Sequence, residues 1–157
     1  MQGAAAILMN SGLAVLVAAT GLVVLTVVIH AVGFDLLLRA MVRSRALTTS
    51  GIGRIGGAVI ALACWLVLIH AAEIASWAAF YVWQGWMHDA ESALYLSGNA
   101  YSGGGDGGAL PRPWRLLVPL EALVGSLMFG LSTGLFFAVV FRWISNWIRR
   151  QPAPEER

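Results

Sequence analysis

The sequence has no lysine and little charge of either sign. Of its 157 residues, 11% are charged and 59% are hydrophobic. Residues 1–34 carry no charged side chain, and neither do residues 55–72 or 122–141. A soluble domain usually has about 25% charged residues. The composition therefore excludes an ordinary soluble domain and indicates a membrane protein.

Cysteine and the signatures of catalysis are also scarce. Cys64 is the only cysteine, which excludes a disulfide framework and a thiolate metal site. The sequence contains no nucleophile–base pair, Walker motif or CxxC. Residues 51–57, GIGRIGG, formally contain GxGxxG, but they open an apolar run instead of following a strand, so a dinucleotide site fails on context. We expect no enzyme, no cofactor and no metal site.

Three apolar runs are long enough to cross about 30 Å of hydrocarbon, which takes about 20 residues. We expect the first run to be a span and not a secretory signal, because no basic residue precedes it and it is too long. The predicted organisation is a first span within residues 1–38, a basic loop at 39–54, further spans at 55–83 and 115–148, and a tail at 149–157.

The arginines predict the orientation of the spans. Eight of the ten basic residues fall in the first loop or after the third span, namely Arg39, Arg43, Arg45, Arg54, Arg142, Arg149, Arg150 and Arg157. By the positive-inside rule, the N-terminus faces outward and the C-terminus is cytoplasmic in a multi-pass protein of the cell inner (plasma) membrane. Topology accounts for the net charge of +2, so no nucleic-acid partner is expected.

A short helix and a glycine-rich loop lie between the second and third spans. HDAESALYLS predicts a helix over residues 88–98, with Asp89 as its N-cap and Gly98 at its end. The following loop, residues 99–113, reads NAYSGGGDGGALPRP. Irregular backbone at membrane depth is tolerated only where it is buried in protein or lines water. We therefore predict an all-α membrane protein with three transmembrane helices and a re-entrant helix and loop between spans two and three.

Three stretches carry a resemblance to a known family. ESALYLS is similar to a pore helix, AYSGGGD aligns without a gap on the filter pattern TTVGYGD, and WRLLVPLEALVGSLMFGLSTGLFFAVVFR is similar to an inner helix. Over residues 55–148 the chain resembles the pore domain of potassium channels, with a degenerate selectivity filter. The additional first span, with VVIHAVGFDLLLR, is similar to a three-span bacterial subgroup.

The resemblance implies a homotetrameric cation channel whose backbone carbonyls replace the hydration shell of the ion. The implied filter is Ala100, Tyr101, Ser102, Gly103, Gly104, Gly105 and Asp106. The implied cavity and gate are formed by Gly125, Phe129, Gly130, Thr133 and Phe137, with the hinge at Gly125 or Gly130. Potassium is the expected ion, and sodium or calcium remain open alternatives.

The filter departs from the family pattern in its side chains. Ala100 and Tyr101 stand where threonines are expected, Ser102 replaces a branched apolar residue, and Gly104 replaces an aromatic one. Residues 103–108 contain five glycines and one side chain, that of Asp106. We expect a softer or wider loop with altered selectivity, in which a ring of four Asp106 carboxylates favours cations in general. A calcium-selective pore at this ring is the alternative.

Alternatives remain open for each of these features. The glycine loop is also explained by a flexible outer connection, and the recurring small residues of the third span by helix packing. A non-conducting relative of the pore domain that acts as a membrane scaffold or partner subunit is the alternative function. A transporter is disfavoured because no inverted repeat is found.

Two acids, Glu73 and Glu121, lie within the predicted second and third spans. His70 and Glu73 share a helix face, and we interpret them as a hydrogen-bonded pair that docks the first span, with His30 as its partner. A pH sensor at His70 is the alternative, and zinc is not expected because the sequence offers too few ligands near it. For Glu121 we expect a structural role near the start of its helix, where the dipole favours an acid.

Overall fold

The computed structural model describes the backbone of residues 2–44, 52–105 and 107–149, and the side chains within them from residue 12 and, after the first gap, from residue 53. These ranges are helical and contain no strand, which confirms the predicted fold class at this level. The elements are α1 (Gln2–Arg43), α2 (Ile52–Trp83), α3 (Ala90–Tyr101) and α4 (Leu117–Ile148), with short 3₁₀ turns at Gly107–Ala109 and Arg112–Leu116.

Three segments are long and apolar enough to cross a membrane: Gly12–Arg43, Gly53–Trp83 and Arg112–Ile148. The chain is therefore a multi-pass membrane protein. The first helix continues to Arg43, past the predicted end of its span at residue 38. The apolar run ends there, but the helix does not, because Leu37 and Met41 are buried in a core cluster with α2 and α4 residues. An exposed Asp35–Arg39 pair, 2.8 Å apart, also lies within this helix.

Helices α1 and α2 are joined by polar contacts in an otherwise aliphatic interface. The indole Nε1 of Trp77 donates to Thr26 Oγ1 at 2.9 Å, and Trp65 Nε1 donates to the carbonyl of Gly33 at 3.0 Å. A Cβ on Gly33 would lie 2.6 Å from Cγ1 of Ile69, so glycine permits the close approach of the two helices.

The short helix α3 packs against both α2 and α4. Its buried face consists of Ala93, Leu96, Ser97, Ala100 and Tyr101. An aromatic cluster lies where the chain leaves α2 and enters α4, with the Trp86 and Trp114 rings 4.8 Å apart. The C-terminal end of α3 lies beside the middle of α2. The hydroxyl of Tyr101, the last residue of α3, is 2.9 Å from Nδ1 of His70.

Helix α3 begins at a side-chain cap and ends at a glycine. Asp89 has extended backbone angles, and its carboxylate accepts the Ser92 amide at 2.7 Å, as its predicted N-cap role requires. The helix continues past Gly98, the predicted end, to Tyr101. The Gly103 amide donates to Ala100 and the Gly104 amide to Asn99, at 2.9 and 2.8 Å. These are the two bonds of a Schellman motif, and Gly103 supplies the positive φ of 87° that the motif requires.

We expect Asp89→Ala to loosen the first turn of α3, because the amide of Ser92 would lose its acceptor. Amide hydrogen exchange at residues 91–94 should become faster, while exchange in α4 stays unchanged. Glu91→Ala is the matched control, since Glu91 lies in the same exposed turn but does not cap it.

The same cap should weaken in acid. The backbone amide of Ser92, followed by its hydroxyl, holds the pKa of Asp89 below its usual value of 3.8. A carboxylate with a lowered pKa stabilises the fold above its usual pKa, and this contribution is lost as the pH falls through the lowered value. Equal exchange in wild type and Asp89→Ala at neutral pH would contradict the capping role.

Candidate functional site

Two buried glutamates contact α3 from the helices that precede and follow it in the chain. Glu73 on α2 and Glu121 on α4 are both fully buried, and so is Ser97. The glutamates reach α3 at Tyr101 and Ser97, which are four residues apart and therefore share one helix face. Side chains of this kind are costly within a bilayer and are functional candidates by default.

Glu121 joins three helices through its two carboxylate oxygens. The hydroxyl of Tyr81, on α2, donates to Oε2 at 2.6 Å. The hydroxyl of Ser97, on α3, lies 2.5 Å from Oε1 and 2.9 Å from the carbonyl of Ile74. Glu121 thus connects α4 to α2 and α3 through side-chain hydrogen bonds, which the dipole argument from sequence does not include.

Glu73 is the centre of a second group, which we call the polar cluster: His30, His70, Glu73 and Tyr101. His30 Nδ1 lies 2.7 Å from Glu73 Oε1, and His70 Nδ1 lies 3.2 Å from Oε2. The hydroxyl of Tyr101 donates to the same Oε2. All four residues are at most 8% exposed. The polar cluster connects α1, α2 and α3 at one point.

His70 and Glu73 contact each other on one face of α2, as their spacing predicts. The structure brings His30 to Glu73 across 43 residues of sequence, which is the contact that the docking interpretation expects. A signal for it was present in the first span. Thr26, His30 and Gly33 recur at helical spacing in an aliphatic helix, and each contacts an α2 residue.

The residues predicted to form a filter fall into two groups. Ala100 and Tyr101 belong to the last turn of α3, and both are buried, so they do not form extended loop backbone. The carbonyls of Asn99 and Ala100 accept the capping amides of α3. Ser102, Gly103 and Gly104 are exposed, while Gly105 is partly buried and packs so closely on Ala100 that a Cβ would meet its Cα at 2.6 Å. Asp106 lies outside the described residues.

The five residues predicted to line the cavity and gate do not share one environment. Gly125 is buried, and a Cβ there would overlap the carbonyl oxygen of Tyr101. Phe129 is 42% exposed and its ring lies 4.5 Å from that of His70. Gly130, Thr133 and Phe137 are exposed. Gly125 is thus the contact point between α3 and α4, whereas the other four extend along an open face of α4.

Comparison of the chain with protein-family models, curated proteins and solved structures finds no match.

We expect Gly125→Ala to destabilise the fold by about 1–3 kcal/mol or more, the usual range for overpacking. The new methyl group would overlap backbone of Tyr101, which cannot rotate away as a side chain can. Gly21→Ala is the control, because Gly21 lies within α1 and no atom lies within 4 Å of a Cβ at that position. Alanine also has the higher helix propensity, by about 0.8–1.0 kcal/mol.

Unfolding by increasing SDS in mixed micelles, followed by tryptophan fluorescence, would measure both changes. If Gly125→Ala were as stable as Gly21→Ala, the close approach of α3 and α4 would be contradicted.

Proposed function

We propose that this chain is one subunit of a homotetrameric pore-loop cation channel in the cell inner (plasma) membrane, with its N-terminus outside and its C-terminus in the cytoplasm. The observation that carries the proposal is the exposed, irregular backbone of residues 102–104 at the end of a helix whose last turn contacts the interior of two membrane-spanning helices.

The depth of this loop follows from the contacts of Tyr101. Its partner Glu73 lies ten residues before Trp83, the end of α2, which is about 15 Å along a helix. The hydrocarbon core is about 30 Å thick, so α3 reaches roughly half-way if Trp83 marks the interface. Exposed loop backbone at that depth requires water or other protein around it. Four copies around an axis would supply both, and α3 would then be a re-entrant pore helix.

The charges near the loop favour cations. The C-terminal end of a helix carries about −0.5 of an elementary charge, and α3 ends at the loop. Asp89 and Glu91 are exposed at its other end beside an open cleft of about 830 Å³. Residues 84–111 contain three acids and no lysine or arginine. The basic turn Arg112–Leu116 follows, and within it Arg115 Nε donates to the carbonyl of Leu110. A ring of Asp106 side chains around the axis would add to this negative potential.

The capped end of α3 argues for weak discrimination among monovalent ions. A potassium filter needs successive rings of carbonyl oxygens that are free to bind the ion. Here the carbonyls of Asn99 and Ala100 accept hydrogen bonds from their own chain, so fewer rings remain. We expect potassium and sodium to permeate at comparable rates, with calcium as a further candidate.

The open face of α4 is suited to contacts between copies. Gly130 and Gly134 have no atom within 4 Å of a Cβ position, and Phe137 is 71% exposed. Lipid covers exposed apolar side chains equally well, so exposure alone decides nothing. Small residues on a transmembrane helix, however, favour close helix contact. On α3, Tyr95 also remains 75% exposed and offers a surface to a neighbouring subunit.

A second candidate function is a non-conducting membrane scaffold related to the same architecture. The Schellman motif at the end of α3 favours it, because a loop whose carbonyls serve its own helix offers an ion few ligands. Reconstitution separates the two candidates.

We expect the purified chain to run as a tetramer and to release trapped potassium and sodium from liposomes at similar rates. Asp106→Asn should reduce cation flux several-fold while leaving assembly intact, because it removes one negative charge per subunit from the loop. Asp35→Asn is the matched control, since it removes one negative charge by the same substitution from an exposed acid of α1 that is paired with Arg39 and has no part in the proposed cation path.

The measurements are mass photometry for the assembly and ion-sensitive dyes for the flux. A monomer or dimer would contradict the channel, since one chain has no enclosed path. A tetramer without flux of potassium, sodium or calcium would favour the scaffold.

A further inference from the structure

Three residues of the polar cluster have side chains that bind transition metals. His30, His70 and Glu73 each offer a donor atom, and these three atoms lie within 4.8 Å of one another. The residues come from two helices, and all three are buried. Docking of α1 needs only one histidine beside the carboxylate, so the second imidazole is not explained by docking alone.

The donor types select a class of ion. Two histidines and a glutamate form one of the ligand sets that hold zinc with an open fourth position. Imidazole nitrogen suits first-row transition metals, whereas magnesium and calcium prefer sites made of oxygen. Ligand atoms of a tetrahedral zinc ion at about 2.0–2.1 Å are roughly 3.3 Å apart. His30 and His70 contact different oxygens of Glu73, at 2.7 and 3.2 Å, so a bound ion would replace these contacts after a small separation of the ligands.

A second, independent observation concerns His30. Its Nδ1 contacts Glu73, but its Nε2 is buried and has no hydrogen-bond partner among the described residues. The ring is 3% exposed and lies 4.3 Å from the ring of Phe34, so Nε2 has no water-accessible surface. Buried polar atoms in native proteins are almost always paired. The hydrogen bonds of the polar cluster therefore do not fully account for this buried imidazole.

We propose that His30, His70 and Glu73 bind one divalent first-row transition-metal ion of the zinc class. Tyr101 is the outer-shell partner, since its hydroxyl donates to the carboxylate of Glu73 and orients that ligand. The ion would join α1 to α2, and Tyr101 would extend this connection to the end of α3. Any proton on the ligands leaves to solvent when the metal binds. The proposal holds whether or not the chain conducts ions.

His70 is the most exposed of the three ligand residues, at 8%. The ring of Phe129, on the open face of α4, lies against it.

Zinc titration of the full-length chain tests the proposal. The chain is purified in detergent, stripped of metal, and carries Cys64→Ser, because Cys64 is an exposed competing thiol. We expect one zinc per chain, measured against a chromophoric chelator. His30→Gln and Glu73→Gln should each lower the affinity beyond the about 10- to 100-fold that loss of an outer-shell partner costs, and Tyr101→Phe should fall within that range.

His88→Gln is the matched control, because His88 is the third histidine of the chain and is exposed. Its affinity should equal that of the parent. X-ray absorption of the zinc-loaded Cys64→Ser chain keeps the test independent of variant folding, and we expect two imidazoles with nitrogen and oxygen at about 2.0–2.1 Å. Absence of stoichiometric zinc, a shell without imidazole, or loss of binding in His88→Gln would each overturn the proposal.

Discussion

The structure depends on two buried carboxylates that hold a short helix between two long ones. Glu73 and Glu121 are fully buried, and each contacts α3 through one hydroxyl, that of Tyr101 or of Ser97. The hydrophobic effect does not favour helix association within lipid, because lipid tails are as apolar as leucine side chains. A buried carboxylate without its partners is strongly unfavourable, however. An undocked α3 would leave both carboxylates without these hydroxyl partners. The free-energy cost of that state favours the docked position of α3.

Once α3 is held in this way, the path of the following loop is constrained by backbone contacts. The carbonyl of Tyr101 lies against Gly125 of α4, and Gly105 turns back onto Ala100. Glycine is required at both positions because any Cβ would overlap backbone atoms. The glycine-rich composition, which suggested a soft filter, is thus partly a packing requirement. Gly103 serves the helix cap, whereas Gly104 has neither a close contact nor a positive φ.

Local sequence patterns predicted the elements and one contact between them, that of His30 with Glu73, but not the contacts of α3. The three spans, the existence of α3 and its cap at Asp89 follow from apolar runs and capping chemistry, which act over a few residues. The end of α3 was misplaced because Gly98 is a good terminator by composition, yet burial of Ala100 and Tyr101 extends the helix. The pairing of His30 with Glu73 joins residues far apart in sequence. The side-chain direction of Tyr101 depends on tertiary packing, and a linear filter alignment contains no information about it.

A double-mutant cycle between Glu73 and Tyr101 tests the central claim most directly. The free energy of unfolding is measured for wild type, Glu73→Gln, Tyr101→Phe and the double variant in bilayer-like micelles with a metal chelator present. If this contact holds α3 in place, the two changes are non-additive, with a coupling energy of about 0.5–3 kcal/mol, as for residues in one network. Additive effects, with no coupling beyond error, would contradict the account.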